Sequence, residues 1–235
     1  MEDQPLHVQQ VRIAPTAQDL QEITMTTAII GTGKIGSIIA QDLADGGEDL
    51  IIAGSDLEKA ASLAAAVGGS ARAAEVPAAI AAADIVILAV WFDVSKKLID
   101  ENRDALDGKI VVDPSNPLGP DGNGGYVKIL APEESSGQIL AQKLPAGASL
   151  VKAFGTLGAE SMKVSARQDP AIALLYATDD GAAGEAVASL IRSAGFAPVN
   201  VGGLDQSVRI EVYGELHEIG GLGRTVTAEE ARAAL

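Results

Sequence analysis

The stretch that most constrains the fold is AIIGTGKIGSIIA, residues 28–40. An apolar run ends at Gly31, glycine recurs at Gly33 and Gly36, and Ile35, Ile38, Ile39 and Leu43 follow at helical spacing. A short buried strand therefore turns directly into a helix. The turn reads Gly31-Thr32-Gly33-Lys34-Ile35-Gly36, and a second apolar strand, LIIAG (50–54), ends about 20 residues later. In such a pattern the first glycine permits the tight turn. The second lets the backbone approach a pyrophosphate, and the third lets helix and strand pack closely. The helix start adds unpaired N–H groups and a positive dipole end. A plain strand–helix turn is the alternative; the flanking strand, helix and second strand argue for a dinucleotide seat.

The strand–helix alternation continues along the chain. Strands are predicted at 26–30, 50–54, 71–74, 84–90 and 109–113, with helices following Gly33 and at 57–67, 77–83 and 94–106. Uninterrupted apolar strands alternating with helices imply a parallel sheet covered on both faces. The loop PSNPLGPDGNGGY (114–126) breaks the rhythm, and loops of that length are often functional. Beyond it, helices are predicted at 135–144 and 181–196, and strands at 149–154, 171–177 and 198–202. The tail reads as helix from Leu204 through Tyr213, then as a glycine-rich stretch at 220–223. Residues 1–24 are Gln-rich and without clear period; they read as an extension ahead of MTTAIIGTG. The expected organisation is α/β: a doubly wound, mainly parallel sheet of the Rossmann type over 25–202, with a small helical C-terminal portion over 203–235.

Composition narrows the partners. The formal net charge of −15 disfavours nucleic acid and anionic membranes, which need concentrated Lys and Arg. No apolar run reaches the ~18 residues of a membrane span. Cysteine is absent, which removes disulfides and thiolate chemistry, and two distant histidines give no metal cluster. A small-molecule substrate and a cytoplasmic setting are the expectation.

Open α/β sheets bind ligands at the carboxyl ends of their strands. That places Val90 and Trp91 after the fourth strand, and Asn116 and Pro117 after the fifth, against the cofactor, and Phe92 on the substrate pocket. Phe154, Gly155 and Thr156 follow the next strand and are expected to line a substrate pocket. The end of the second strand chooses between the two nicotinamide cofactors, and AGSDLEK (53–59) points both ways. Ser55 suits a ribose hydroxyl or a 2′-phosphate. Asp56 would repel a phosphate if it pointed inward, or cap the next helix if it pointed out. Lys59 would attract one.

These segments together resemble a known family. GTGKIGSIIAQDLADGGEDLIIAGS, ADIVILAV, KIVVDPSNPL and LVKAFGT are similar, in that order, to the coenzyme F420-dependent NADP oxidoreductases. The resemblance runs from about Thr26 to about Arg209; Asn116-Pro117-Leu118 and Val151–Phe154 are its more specific markers, and the stretch ATDDGAAGEAVASLIRSAGFAPVNVGGL also fits. It implies a homodimeric enzyme with a Rossmann domain that moves a hydride between NADP(H) and a deazaflavin. It also implies that Gly31, Thr32, Gly33 and Gly36 form the phosphate loop and that Ser55 contacts the 2′-phosphate. The arginine that usually follows this serine is absent, leaving Asp56 in its place or Lys59 with its duty, so NADP(H) is favoured and NAD(H) stays open. The family's Val-Pro-Trp is Val90-Trp91-Phe92 here, and Gly155 stands where relatives carry His or Asn. A glycine there would widen the pocket.

Hydride transfer between two rings asks little of side chains, so the lack of a nucleophile–base arrangement is expected. A carbonyl or imine acceptor would need a proton donor. The candidates are His217 and Tyr213, which a helix would place on one face, and Lys152, expected to be solvated near a strand end. A surface histidine beside a packed tyrosine is the plainer alternative. Against the oxidoreductase stands a second class, a non-catalytic dinucleotide-binding or redox-sensing module. A large, partly apolar pocket beside the nicotinamide position would favour the enzyme, and a filled one the sensor.

Overall fold

The computed structural model describes residues 25–235, so the extension expected at 1–24 lies outside the described residues. The first half alternates without exception: β1 (Thr27–Ile30), α1 (Lys34–Asp45), β2 (Leu50–Ala53), α2 (Leu57–Val67), β3 (Arg72–Ala73), α3 (Val76–Ala82), β4 (Ile85–Leu88), α4 (Phe92–Glu101) and β5 (Ile110–Asp113). A hairpin of β6 (Leu118–Pro120) and β7 (Tyr126–Lys128) interrupts it. Then come α5 (Ser136–Lys143), β8 (Ser149–Lys152), α6 (Ala159–Ser165), β9 (Ala173–Tyr176), α7 (Gly181–Ser193) and β10 (Ala197–Asn200). The tail carries a 3₁₀ turn (Leu204–Gln206), α8 (Ser207–Ile210) and α9 (Ala228–Ala233).

Six strands form one parallel sheet in the order β3-β2-β1-β4-β5-β8. The order reverses between β1 and β4, and the crevice outside their carboxyl ends is where this topology binds ligands. The strands are short, and β1, β2 and β4 are buried along their whole length, as their unbroken Ile, Leu, Val and Ala runs require. On one face α1, α6 and α7 cover the sheet through Ile39, Leu43, Met162, Val187 and Ile191. On the other, α3, α4 and α5 cover it through Ile80, Phe92, Ile99 and Leu140. The expected doubly wound α/β fold is present.

The second half departs from the expectation in three places. The long loop 114–126 holds one strand of the β6–β7 hairpin and runs into the other. The strand expected over 149–154 ends at Lys152, because Phe154 takes a left-handed φ of 62°. Beyond it, β9 joins β8 through one antiparallel bridge, Lys152 to Ala177, and pairs in parallel with β10. The tail is not helical through Tyr213. α8 stops at Ile210 because Glu211 turns extended and inward, and Tyr213 has φ 67°. The rest folds back in turns until Val226 and Ala231 close a small core over β9 and β10. Among the described residues, no helix is long and apolar enough to cross a membrane.

One clamp ties α1 to α7. Arg167, itself at a left-handed φ of 61°, donates to the carbonyls of Asp42 (2.7 Å), Ser193 (3.0 Å) and Ala194 (3.2 Å). These lie at the C-terminal ends of the two helices, where carbonyls outnumber the N–H donors of the helix. The Asp42 carboxyl beneath it is pushed up to about 6, chiefly by burial, with Arg167 opposing and Asp45 adding to the rise. A carboxyl raised in the folded state binds its proton more tightly there than in the unfolded chain. Its contribution is therefore complete below about pH 4 and lost as pH rises through about 6. Asp42→Asn should melt higher than wild type at pH 8, with the gap closing towards pH 4. Calorimetry that finds the same gap at both pH values would contradict this account of Asp42.

Candidate active site

The phosphate loop is built by two close approaches and one open position. Gly31 sits at φ 125°, which a side chain would strain, and a Cβ there would lie 2.2 Å from the Ala89 carbonyl oxygen. A Cβ on Gly36 would lie 2.0 Å from the Gly31 carbonyl oxygen, so only glycine lets α1 press against the loop. Gly33 differs: a Cβ there meets nothing within 4 Å. It caps α1 without a side-chain hydrogen bond and leaves open space before the helix start. The first turn carries no acidic residue, and its N–H groups face outward with the dipole behind them. That cradle has room for a phosphate, and Gly31 and Gly36 make the tight turn and the close packing that their positions in the pattern imply.

A cleft of about 840 Å³ opens along the carboxyl ends of the central strands. Thr32, Gly33, Lys34 and Ile35 form its floor; Gly54 and Ser55 follow β2, and Ala89, Val90 and Trp91 follow β4. Pro114, Ser115 and Asn116 follow β5, and Phe154 and Gly155 follow β8. Val76 of α3 and Val94, Lys97, Leu98 and Glu101 of α4 extend one end of the wall. Leu118, Leu157, Val212, His217 and Ile219 close the other. The lining is largely apolar, as small-molecule sites are, and its size suits a cofactor-sized ligand.

The wall after β5 and β8 is held from behind. Gly155 accepts two hydrogen bonds on its carbonyl, one from Asn116 Nδ2 (3.0 Å) and one from His217 Nε2 (3.0 Å). Asn116 Oδ1 in turn accepts from the Val212 N–H at 2.7 Å. The Glu218 carboxylate accepts from the Gly158 N–H. Behind Ser115 lies Lys152, 1% exposed. Its Nζ donates to Asp113 Oδ2 (2.7 Å), to Ser136 Oγ (2.9 Å) and to the Ser115 carbonyl, and stands 3.9 Å from Glu211 Oε1. Ser136 Oγ also reaches Glu211 Oε1 (2.9 Å), which accepts from the Gly137 N–H at 3.3 Å. One lysine thus joins β5, β8, α5 and the tail under the cleft.

Gly31, Thr32, Gly33, Lys34, Ile35, Ser55, Val90, Trp91, Asn116, Phe154, Gly155 and His217 all reach the cleft wall. Several other expected site residues do not. Phe92 begins α4 and points into the core with its ring under Lys96 Nζ at 4.6 Å, so it lines no pocket. Thr156 is buried behind the wall, and Pro117 turns away into the hairpin, accepting from the Ile129 N–H. Asp56 caps α2, accepting from the Lys59 N–H at 3.1 Å, and Lys59 Nζ pairs with it at 3.7 Å; neither lines the cleft. Asn116 contributes its position, since both ends of its amide are spent on the protein.

Three expectations of chemistry are corrected. Gly155 does not widen the pocket: a Cβ there would lie 2.7 Å from the Pro114 carbonyl, so the glycine lets two cleft loops touch. Lys152 is not solvated. His217 and Tyr213 share no helix, and it is the histidine that is buried and the tyrosine that is exposed. His217 Nδ1 accepts from the Ile219 N–H at 2.9 Å, so Nε2 carries the hydrogen and donates to Gly155. Burial holds the ring below the ordinary histidine range, against the opposing pull of Gly155 and Glu218. A neutral ring with both nitrogens committed to backbone is a poor proton donor. The residues missed by sequence include Val76 of α3, Val94, Lys97, Leu98 and Glu101 of α4, and Leu118, Leu157, Val212 and Ile219, whose positions carry no local pattern pointing at the cleft.

Comparison with known proteins agrees with this geometry. Residues 26–117 match the family described as NADP oxidoreductase, coenzyme F420-dependent. The match covers β1 through β5 and the start of the loop that follows. A relative, the F420-dependent NADP reductase of Methanothermobacter thermautotrophicus, is 29% identical over 204 residues, covering 82% of this chain and 87% of the relative. Among solved structures, a hypothetical protein from Sinorhizobium meliloti is 30% identical with a TM-score of 0.74, covering 88% of this chain and 97% of that one. A candidate F420-dependent NADP reductase from Arthrobacter sp. FB24 is 25% identical with a TM-score of 0.68, covering 78% and 87%.

Two expected outcomes follow from the packing. Gly36→Ala should lose about 1–3 kcal/mol of stability by overpacking. Gly33→Ala should stay within about 1 kcal/mol of wild type, as an N-cap change in open space. Equal losses for both in urea denaturation would contradict the two roles. Lys152→Met should cost about 3–5 kcal/mol, because it strands buried carboxyl groups without their cation. A Lys152→Met protein as stable as wild type would show that the cluster does not hold the fold.

Proposed function

We propose that the cleft binds NADP(H) and that the protein is an NADP-linked oxidoreductase passing a hydride to or from coenzyme F420 or a similar flavin-like acceptor. The observation that carries the reading is the open cradle at Gly33 beneath the start of α1, set at one side of a cleft with a largely apolar far wall. Gly33, Lys34 and Ile35 would hold the pyrophosphate through backbone N–H groups. Ser55 would hold the 2′-phosphate on the adenosine ribose. The carboxylate of Asp56, turned onto α2, leaves no negative charge from the end of β2 on the cleft wall to repel a 2′-phosphate, which favours NADP(H) over NAD(H). Val90 and Pro114–Asn116 would seat the nicotinamide end.

A reduced nicotinamide bound there supplies the hydride. The chain's own part is distance, orientation and exclusion of water. Pro114, Phe154, Leu157 and Val212 keep the far wall apolar, while Asn116 and His217 hold Gly155 in place. With His217 neutral and spent on backbone, no free acid stands on this wall. That suits a ring acceptor, whose proton can come from water, better than a carbonyl or imine. Room for a second ring favours transfer over sensing alone.

Titration of the purified protein should show NADPH binding more tightly than NADH. Ser55→Ala should weaken NADPH about tenfold, as loss of a hydrogen bond to a charged group does, and leave NADH unchanged. Equal affinity for both cofactors in the wild type would overturn the NADP assignment, and failure to bind either would overturn the enzyme.

A further inference from the structure

Aromatic residues are scarce in this chain: three Phe, three Tyr and one Trp. Phe92, Phe154, Phe196 and Tyr176 are buried. The other three, Trp91, Tyr126 and Tyr213, are 56%, 54% and 53% exposed, and contacts link them in a row that begins at the cleft. Trp91 itself lines the cleft. Its ring stacks on Tyr126, centroids 5.6 Å apart at 30°. Tyr213 Oη donates to the Tyr126 carbonyl at 3.2 Å. We propose that these three residues form a stacking seat for the planar ring of the hydride acceptor, an inference that rests on the oxidoreductase reading above.

The seat is built to hold its shape. Trp91 is the N-cap of α4, its carbonyl accepting from the Ser95 N–H at 2.9 Å, so its backbone cannot drift. Tyr126 stands on β7, and the hairpin tip is pinned by Asp121, which accepts from the N–H groups of Asn123 and Gly125. The hairpin base is tied to the cleft wall by the Ile129 N–H to Pro117 carbonyl bond at 2.9 Å. Tyr213 takes a left-handed φ of 67°, a conformation that a bulky side chain adopts only where its surroundings impose it. Three exposed rings linked in this way beside the cleft offer apolar faces and edges. A planar heteroaromatic ring gains from such faces. A small aliphatic carbonyl or imine does not have the area to use them. The position also follows the cofactor: Trp91 adjoins Val90, at the end of the strand beside the phosphate loop.

Trp91 is the sole tryptophan, so its fluorescence reports the seat directly. The full-length protein saturated with NADP⁺ would be titrated with coenzyme F420 and with riboflavin, following Trp91 emission and, by calorimetry, heat. Both rings should quench Trp91. Trp91→Leu and Tyr126→Leu, at exposed positions that leave the core intact, should each raise the acceptor Kd about tenfold. The NADPH Kd should change less than about twofold. In turnover the acceptor KM should rise with kcat held. The proposal is overturned if both variants bind the acceptor as wild type does, or if the loss falls on NADPH instead. It is also overturned if the substitutions convert a sedimenting dimer to monomer with acceptor binding intact, which would make the rings a subunit interface. A wild type that binds the planar probes through Trp91 without ever oxidising NADPH supports the seat and removes the hydride-transfer reading.

Discussion

Burying Lys152 between Asp113 and Glu211 is the constraint on which the far half of the cleft depends. A charged side chain so deep is costly unless every hydrogen has a partner. The structure meets that demand by bringing four distant segments to one nitrogen. Asp113 ends β5, Lys152 ends β8, Ser136 opens α5, and Glu211 comes from the tail. Because Lys152 also donates to the Ser115 carbonyl, the loop that lines the cleft is fixed by the same nitrogen. Glu211 precedes Val212, whose N–H fixes Asn116, and Asn116 holds Gly155. The wall is therefore a set of backbone positions enforced from behind, with few side-chain polar atoms left to face a ligand.

That construction shapes the chemistry. The near side of the cleft is polar through its backbone: glycine, helix start and unpaired N–H groups, suited to phosphates. The far side is apolar and rigid, and its one histidine is consumed in holding a carbonyl. A site that offers anchoring and an apolar far wall, with its histidine committed to backbone, leaves the reaction to the bound molecules. Such a division between protein and cofactor is what hydride transfer between two rings requires.

The phosphate loop and the parallel half of the sheet were legible in the sequence because their signals are local. Gly31, Gly33 and Gly36 take their roles from neighbours within a few residues and from the strand directly beside them. The far wall was not legible. Whether Trp91 or Phe92 faces the cleft depends on where α4 begins, and a shift of one residue exchanges a rim ring for a core ring. Gly155 looked like a missing side chain until the Pro114 carbonyl, about forty positions away in sequence, stood against it. The tail read as helix to Tyr213 because its local pattern allows one; the bonds from Ser136 and Gly137 to Glu211 are long-range and end it at Ile210. His217 and Lys152 were misplaced for the same reason, since burial of a polar group is decided by partners that sequence spacing does not show.

The most direct test of the central claim is a single-turnover reaction with NADPH carrying deuterium at carbon 4 of the nicotinamide and coenzyme F420 as acceptor, followed by mass analysis of the reduced acceptor. Direct transfer across a dry cleft leaves the deuterium on the acceptor from one of the two labelled diastereomers and from that one alone. Deuterium lost to water, or NADPH that stays bound and unoxidised, would contradict it.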